Sequence, residues 1–102
     1  MDIETVRSED TLTVALIGRL DTTTAPHVEA ALVDSLDGVQ TLLFDFARLE
    51  YLSSAGLRVL LAAQKRMNRQ GSMRLRHVNE TIMDVFEITG FLNILTIEHD
   101  SP

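Results

Sequence analysis

The feature that most constrains this chain is an alternation: β-rich runs and helical runs take turns along it, with glycines as punctuation. The run Thr11-Leu12-Thr13-Val14-Ala15-Leu16-Ile17 is β-branched and partly alternating, and it stops at Gly18. Residues 3–6 fit a short edge strand that returns through the polar turn Arg7-Ser8-Glu9-Asp10. Thr22-Thr23-Thr24-Ala25-Pro26 predicts a helix start, with threonines for a cap and proline for the first turn. Val28, Ala31, Leu32 and Leu36 then share one helical face, and Gly38 ends it. Leu42-Leu43-Phe44-Asp45-Phe46 is mostly apolar, as expected of a strand buried on both faces of a parallel sheet.

The spacing predicts a second helix from about Ser54, with Leu57, Leu60, Leu61 and Met67 inward and Gly71 as its stop. Residues 73–78 predict a strand. Residues 81–88 predict a helix with Ile82, Val85 and Phe86 inward, closed at Gly90, and residues 94–97 a last strand before a frayed tail at 99–102. A left-handed cap is expected at each of the three terminating glycines. The order β-β-α-β-α-β-α-β predicts an α/β fold, with a mixed, mostly parallel sheet packed with helices and joined by right-handed crossovers.

At 102 residues, 45% of them hydrophobic, the chain suits one domain over residues 1–102 with a real core. There is no cysteine, so packing must hold the fold without disulfides or thiolate metal sites. Residues 1–10 carry four acids and no apolar stretch of the signal-peptide kind, and no apolar run approaches a membrane span, which points to the cytosol and to no membrane insertion. A net charge of −6 argues against nucleic acid as a partner. That average hides a segregation. Residues 51–79 contain no acid but hold Arg58, Lys65, Arg66, Arg69, Arg74 and Arg76, so this stretch is +6 and the remainder −12. Arg58, Lys65 and Arg69 fall on one side of the second helix, either as a solvated face or as a docking surface for an acidic partner.

Chemistry concentrates at Tyr51-Leu52-Ser53-Ser54-Ala55-Gly56-Leu57, between strand and second helix. Ser53 or Ser54 stands where an N-cap belongs, and a capping serine accepts a bond from a free amide two or three residues on. The same helix end tolerates an anion, so a phosphoserine there adds charge without unfolding the helix. The two readings are compatible. Asp21 likewise either caps the turn into the first helix or lies beside the serine loop at the carboxyl ends of the strands. Enzyme chemistry has no footing: there is no Gly-x-Ser-x-Gly elbow, glycine-rich phosphate loop or cysteine nucleophile, and His27, His77 and His99 lack metal-ligand spacing. No cofactor or metal is expected.

The run from Phe46 to Leu61, FARLEYLSSAGLRVLL, resembles the signature of the STAS domain, the fold of bacterial anti-sigma factor antagonists and of the cytosolic domains of sulfate transporters. Gly18-Arg19-Leu20-Asp21 resembles that family's Gly-x-Leu-Asp, and Thr89-Gly90-Phe91 its Thr-Gly-Leu/Phe, so the likeness spans nearly the whole chain. The resemblance implies an antagonist that binds an anti-sigma factor, itself a serine protein kinase, while unphosphorylated. Phosphorylation releases it and a serine phosphatase restores it. Where the best-known members read Asp-Ser-Ser/Thr-Gly, this chain has Ser53-Ser54-Ala55-Gly56, which puts the phosphoacceptor on Ser54. Asp21, Thr22, Ser53, Ser54, Ala55, Gly56 and Arg58 are then the expected partner-binding residues, on a monomer or weak dimer. The other reading is a STAS adaptor that is never phosphorylated: a scaffold subunit, or the soluble partner of a transporter.

Overall fold

The computed structural model describes residues 1–98. Strands β1 (Asp2–Ser8) and β2 (Thr11–Leu20) form an antiparallel hairpin with Ser8 opposite Thr11. Next come helix α1 (Ala25–Ser35), strands β3 (Thr41–Asp45) and β4 (Leu49–Leu52), helix α2 (Ser54–Gln70), strand β5 (Ser72–Arg76) and helix α3 (Glu80–Thr89). A short 3-10 turn (Phe91–Asn93) follows. The sheet runs β1-β2-β3-β5, and every pairing except the hairpin is parallel. The expected α/β class with a mixed, mostly parallel sheet is therefore what forms.

Two elements differ from the expected order. β4 is an additional strand, four residues after a three-residue break, too short to show a period of its own. It exists because β2 is ten residues long and, on the edge away from β1, serves two partners: Thr11–Ala15 pair with β3, and Gly18–Leu20 pair with β4. A register shift between Gly18 and Arg19 separates the two, and Gly18 takes φ +105°, a backbone that side chains rarely adopt. The strand expected at 94–97 contracts to one bridge, Ile97 beside Leu75, since the 3-10 turn uses up the preceding residues and Leu95 turns into the core. The tail at 99–102 lies outside the described residues.

Along β2, Leu12, Val14, Leu16 and Leu20 are buried while the residues between are mostly half-buried, and β3 repeats the pattern with Leu42 and Phe44. β3 therefore has one face in the core, not two: Leu43 is only half-covered. From above come Val28 and Leu32 of α1, Leu57, Leu60 and Met67 of α2, and Ile82 and Phe86 of α3. Leu61, expected inward, is half-buried, and Val59 and Ala63 take the inward places beside it.

The helix ends show how the layers are tied. The last turns of α2 reach across to the carbonyls at the end of α1: Gln70 Nε2 donates to Leu36 and Val39 at 2.7 Å each, and Arg66 donates to Val33 while pairing with Asp37 at 2.8 Å. The Leu36 carbonyl also accepts from the Val39 amide at 3.1 Å, so the side chains of α2 add to the bonding of the turn that follows α1. Gly90 closes α3 in the left-handed region as expected, but Gly71 is extended, at φ 174°. Its requirement is space, since a Cβ there would run into the Gln40 carbonyl.

At the ends of β3 and β5, Asp45 accepts from the Ala47 amide and the His77 ring at 3.0 Å each, with Arg76 3.5 Å away. Burial alone would raise its carboxyl, but these donors and the neighbouring positive charges outweigh burial and hold it below the usual carboxylate range. A lowered acid adds stability that is complete above the unfolded-chain value of about 3.9 and is lost as pH falls through the folded value. The stability gap between wild type and Asp45→Asn, measured by urea unfolding, is therefore expected to be widest near neutrality and to close on acidification. A gap independent of pH would count against this assignment.

Candidate functional site

The carboxyl ends of β2 and β4 lie side by side, with Leu20 opposite Leu52, and the Ser53 amide donates to the Leu20 carbonyl at 2.9 Å. From this shared edge the chain leaves in two directions: Asp21 opens the turn into α1, and Ser54 opens α2. Residues 21–26 and 53–58 are thereby brought to one end of the sheet, the place where parallel α/β folds expose their loops.

Asp21 does the capping work. Its Oδ1 accepts from the Thr23 amide at 3.0 Å, the Thr23 hydroxyl at 2.7 Å and the Thr24 amide at 3.2 Å. In return its own amide donates to Thr24 Oγ1 at 2.8 Å, and that hydroxyl donates to the Arg19 carbonyl at 2.7 Å. The sequence predicts that a threonine caps α1, but none does so through its side chain: Thr24 is the N-cap residue, and its hydroxyl is engaged with the turn. The Thr23 hydroxyl is the main influence keeping the Asp21 carboxyl below the usual range; dehydration opposes it, and the Thr23 and Thr24 amides add to the lowering. Asp21 is thus an ionised, geometrically locked carboxylate beside the serine loop. Behind it, the Arg19 guanidinium lies 4.2 Å over the Tyr51 ring, joining the two strands across the same edge.

The two serines are not equivalent. Ser53 is the N-cap of α2 by backbone, extended at φ −96° and ψ 177°, but its side chain makes no capping bond. Its Oγ is buried and has no hydrogen-bond partner among the described residues. Ser54 is the first helical residue and is exposed. The first amides of α2 are therefore left without a side-chain cap, in a helix whose first turn holds no acid.

Gly56 explains how the helix comes so close. A Cβ there would stand 2.5 Å from Leu52 Cδ1 and 2.7 Å from Leu20 Cγ, so only glycine lets the first turn of α2 seat on the two strand ends. On the other side of that turn, Thr22, Ala55 and Arg58 line one groove together with Pro26, Glu29 and Ala62. Of the seven residues singled out from the sequence, three thus face this groove. Asp21 and Ser54 flank it in the chain, while the Ser53 hydroxyl and Gly56 are directed inward. Pro26 and Glu29 escaped sequence reasoning, since the only signal was their exposure on the first turns of α1. Among the described residues no group of His, Asp or Glu is arranged to hold a metal ion, and no helix is long and apolar enough to cross a membrane.

Comparison with known proteins gives a consistent result. The STAS domain family matches residues 2–101. A Bordetella bronchiseptica protein, BtrV, named as a candidate anti-sigma factor antagonist, is 38% identical over 88 residues, covering 84% of this chain and 76% of its own. The crystal structure of a candidate anti-sigma factor antagonist from Thermotoga maritima superposes with a TM-score of 0.89 at 18% identity, over 96% of this chain and 86% of that one. The Bacillus protein SpoIIAA superposes in its phosphorylated form with a TM-score of 0.75 at 19% identity, over 97% and 93% of the two chains.

Two substitutions separate packing from capping. Ser53→Ala is expected to be neutral or stabilising, against the loss of about 0.5–2 kcal/mol that removing a working N-cap serine brings. Gly56→Ala is expected to lower stability by about 1–3 kcal/mol through overpacking. Urea unfolding of both variants checks the pair, and a clear loss in Ser53→Ala would mean its hydroxyl is engaged after all.

Proposed function

This chain belongs to the STAS domain family and groups with its anti-sigma factor antagonists, and we propose that it acts by partner switching with Ser54 as the phosphoacceptor. Unphosphorylated, it binds a cognate anti-sigma factor that is also a serine kinase. Transfer of phosphate to Ser54 releases it, and a serine phosphatase returns it to the binding form. Regulation of transcription is the output.

The observation that carries this reading is the contrast between the two serines. A kinase needs a hydroxyl it can reach, and Ser54 offers one where the Ser53 Oγ is buried. The position also suits the product. A phosphate brings about −1.5 to −2 charges. At the first residue of a 17-residue helix whose opening amides lack a side-chain cap, that charge is favoured by the helix dipole. Phosphorylation can then change the surface without unfolding it. Asp21, ionised and fixed by its turn, lies across the shared strand edge, so the phosphorylated form concentrates negative charge at one end of the sheet. A partner that accepted the neutral serine beside one carboxylate meets a different electrostatic surface, which is how a single group can reverse affinity. Thr22, Ala55 and Arg58, lining the adjoining groove, complete the proposed contact area.

The test is intact-mass analysis after incubation with ATP and candidate ATPase-type serine kinases of the source organism. Wild type and Ser53→Ala are expected to gain one phosphate and Ser54→Ala none. Ser54→Asp should weaken kinase binding by about tenfold or more, some 1.4 kcal/mol, with stability changed by less than about 1 kcal/mol. A phosphate that persists in Ser54→Ala would remove the site assignment, and no phosphate on wild type would favour the unphosphorylated adaptor.

A further inference from the structure

The groove that begins beside Ser54 does not end there. It continues between α1 and α2, with Leu32, Leu36, Val59, Ala62 and Ala63 along it. Val33, 59% exposed, stands on its α1 rim. Its α2 rim carries the cations that the fold does not use. Of the six in residues 51–79, Arg66 pairs with Asp37, Arg74 with Glu98 and Arg76 with Asp45. Arg58, Lys65 and Arg69 are exposed and have no acidic partner among the described residues. Their spacing places all three on one stripe beside Ala62, at the lip of the groove. Arg58 lines the groove, Lys65 and Arg69 continue its stripe along α2, and Glu29 is the acid in the α1 wall; unpaired cations on the α2 side of an apolar groove are the complement of a row of carboxylates facing α2.

We infer that this groove docks an amphipathic helix of the kinase partner, apolar residues down and a row of carboxylates toward α2. This rests on the partner-switching reading and adds to it where the partner lies. From Arg58 to Arg69 is about 16 Å at 1.5 Å per residue, three turns, so a helix bearing acids at the same seven- and four-residue steps matches the stripe end to end. The docked helix then points along α2 toward Ser54. Its anchoring is separate from the serine, so the serine governs release while the groove governs address and approach.

The test compares wild type, Lys65→Glu/Arg69→Glu and Ala62→Trp for kinase binding kinetics at about 50 mM and about 300 mM salt. The double charge reversal should slow association about tenfold at low salt, leave dissociation within about twofold, and converge on wild type at high salt. Ala62→Trp, at an exposed position, should instead speed dissociation. Circular dichroism and melting confirm that both variants are folded. Unchanged kinetics in both would overturn the groove while leaving the Ser54 reading intact. Failure of the wild type to bind any kinase would sink both. A wild type that sediments as a dimer, dissociated by the charge reversal, would assign the face to a second copy and overturn the inference.

Discussion

The hydrogen bond from the Ser53 amide to the Leu20 carbonyl, 2.9 Å long, is where the architecture closes. It is the last rung between β2 and β4, and it fixes where α2 starts relative to where α1 is about to start. The helix can use that position only because Gly56 has no side chain, since Leu20 and Leu52 already occupy the space a Cβ would need. Removing either condition moves the first turn of α2 away from the sheet edge. The groove between the helices, the exposure of Ser54 and the approach of Asp21 all depend on that one seating.

A second dependence follows from β2 serving two partners on the edge away from β1. A ten-residue strand with one partner would carry β3 to the top edge and leave no place for β4. The shift at Gly18 and Arg19 divides it, and β4 enters beside Leu20 with Leu49 and Leu52 buried and Glu50 exposed. The serine loop is therefore held by a strand that belongs to it, with Asn79 donating to the Leu49 carbonyl at 2.9 Å from the far side. Asn79 also caps α3 through the Ile82 amide, so the cap that Ser53 lacks is present on the neighbouring helix. The two helix starts differ for a reason: α3 begins at a joint that only needs to be stable, and α2 begins at one whose amides are left open.

Much of this was legible in the chain. The alternation of strand and helix showed through because each long element buries one face, and Leu12, Val14 and Leu16 or Val28 and Leu32 carry that face at the right period. What escaped notice had no period to show. β4 is four residues long, and the bridge at Ile97 is a single residue pair. Gly71 looked like a helix stop of the left-handed kind, but a clash with the Gln40 carbonyl, thirty-one residues earlier in the chain, is invisible to any local rule. At the site, the residue types were readable and their division of labour was not. Which of two adjacent serines is buried depends on the register of Leu20 against Leu52, and a one-residue change in that register would exchange their roles.

The charge pattern shows the same limit from another side. Six cations in a row of residues without acids read as one basic face, but tertiary pairing divides them evenly. Arg66 is held because α1 ends beside it and leaves carbonyls and Asp37 to satisfy; Arg74 and Arg76 are held because β5 lies between chain segments that bring Glu98 and Asp45. Exposed pairs of this kind add little to stability, about 0–1 kcal/mol each. Their main effect is on the field: of the six, they cancel the charge at the end and edge of the sheet and leave it standing along the outer stripe of α2. With a phosphate on Ser54, as proposed, the positive stripe running away from it would give the two ends of one helix opposite electrostatic character. On the partner-switching proposal, a partner steered by the stripe would be drawn toward the very residue that then repels it, so attraction and release would be built on one rigid element with no change of fold between them.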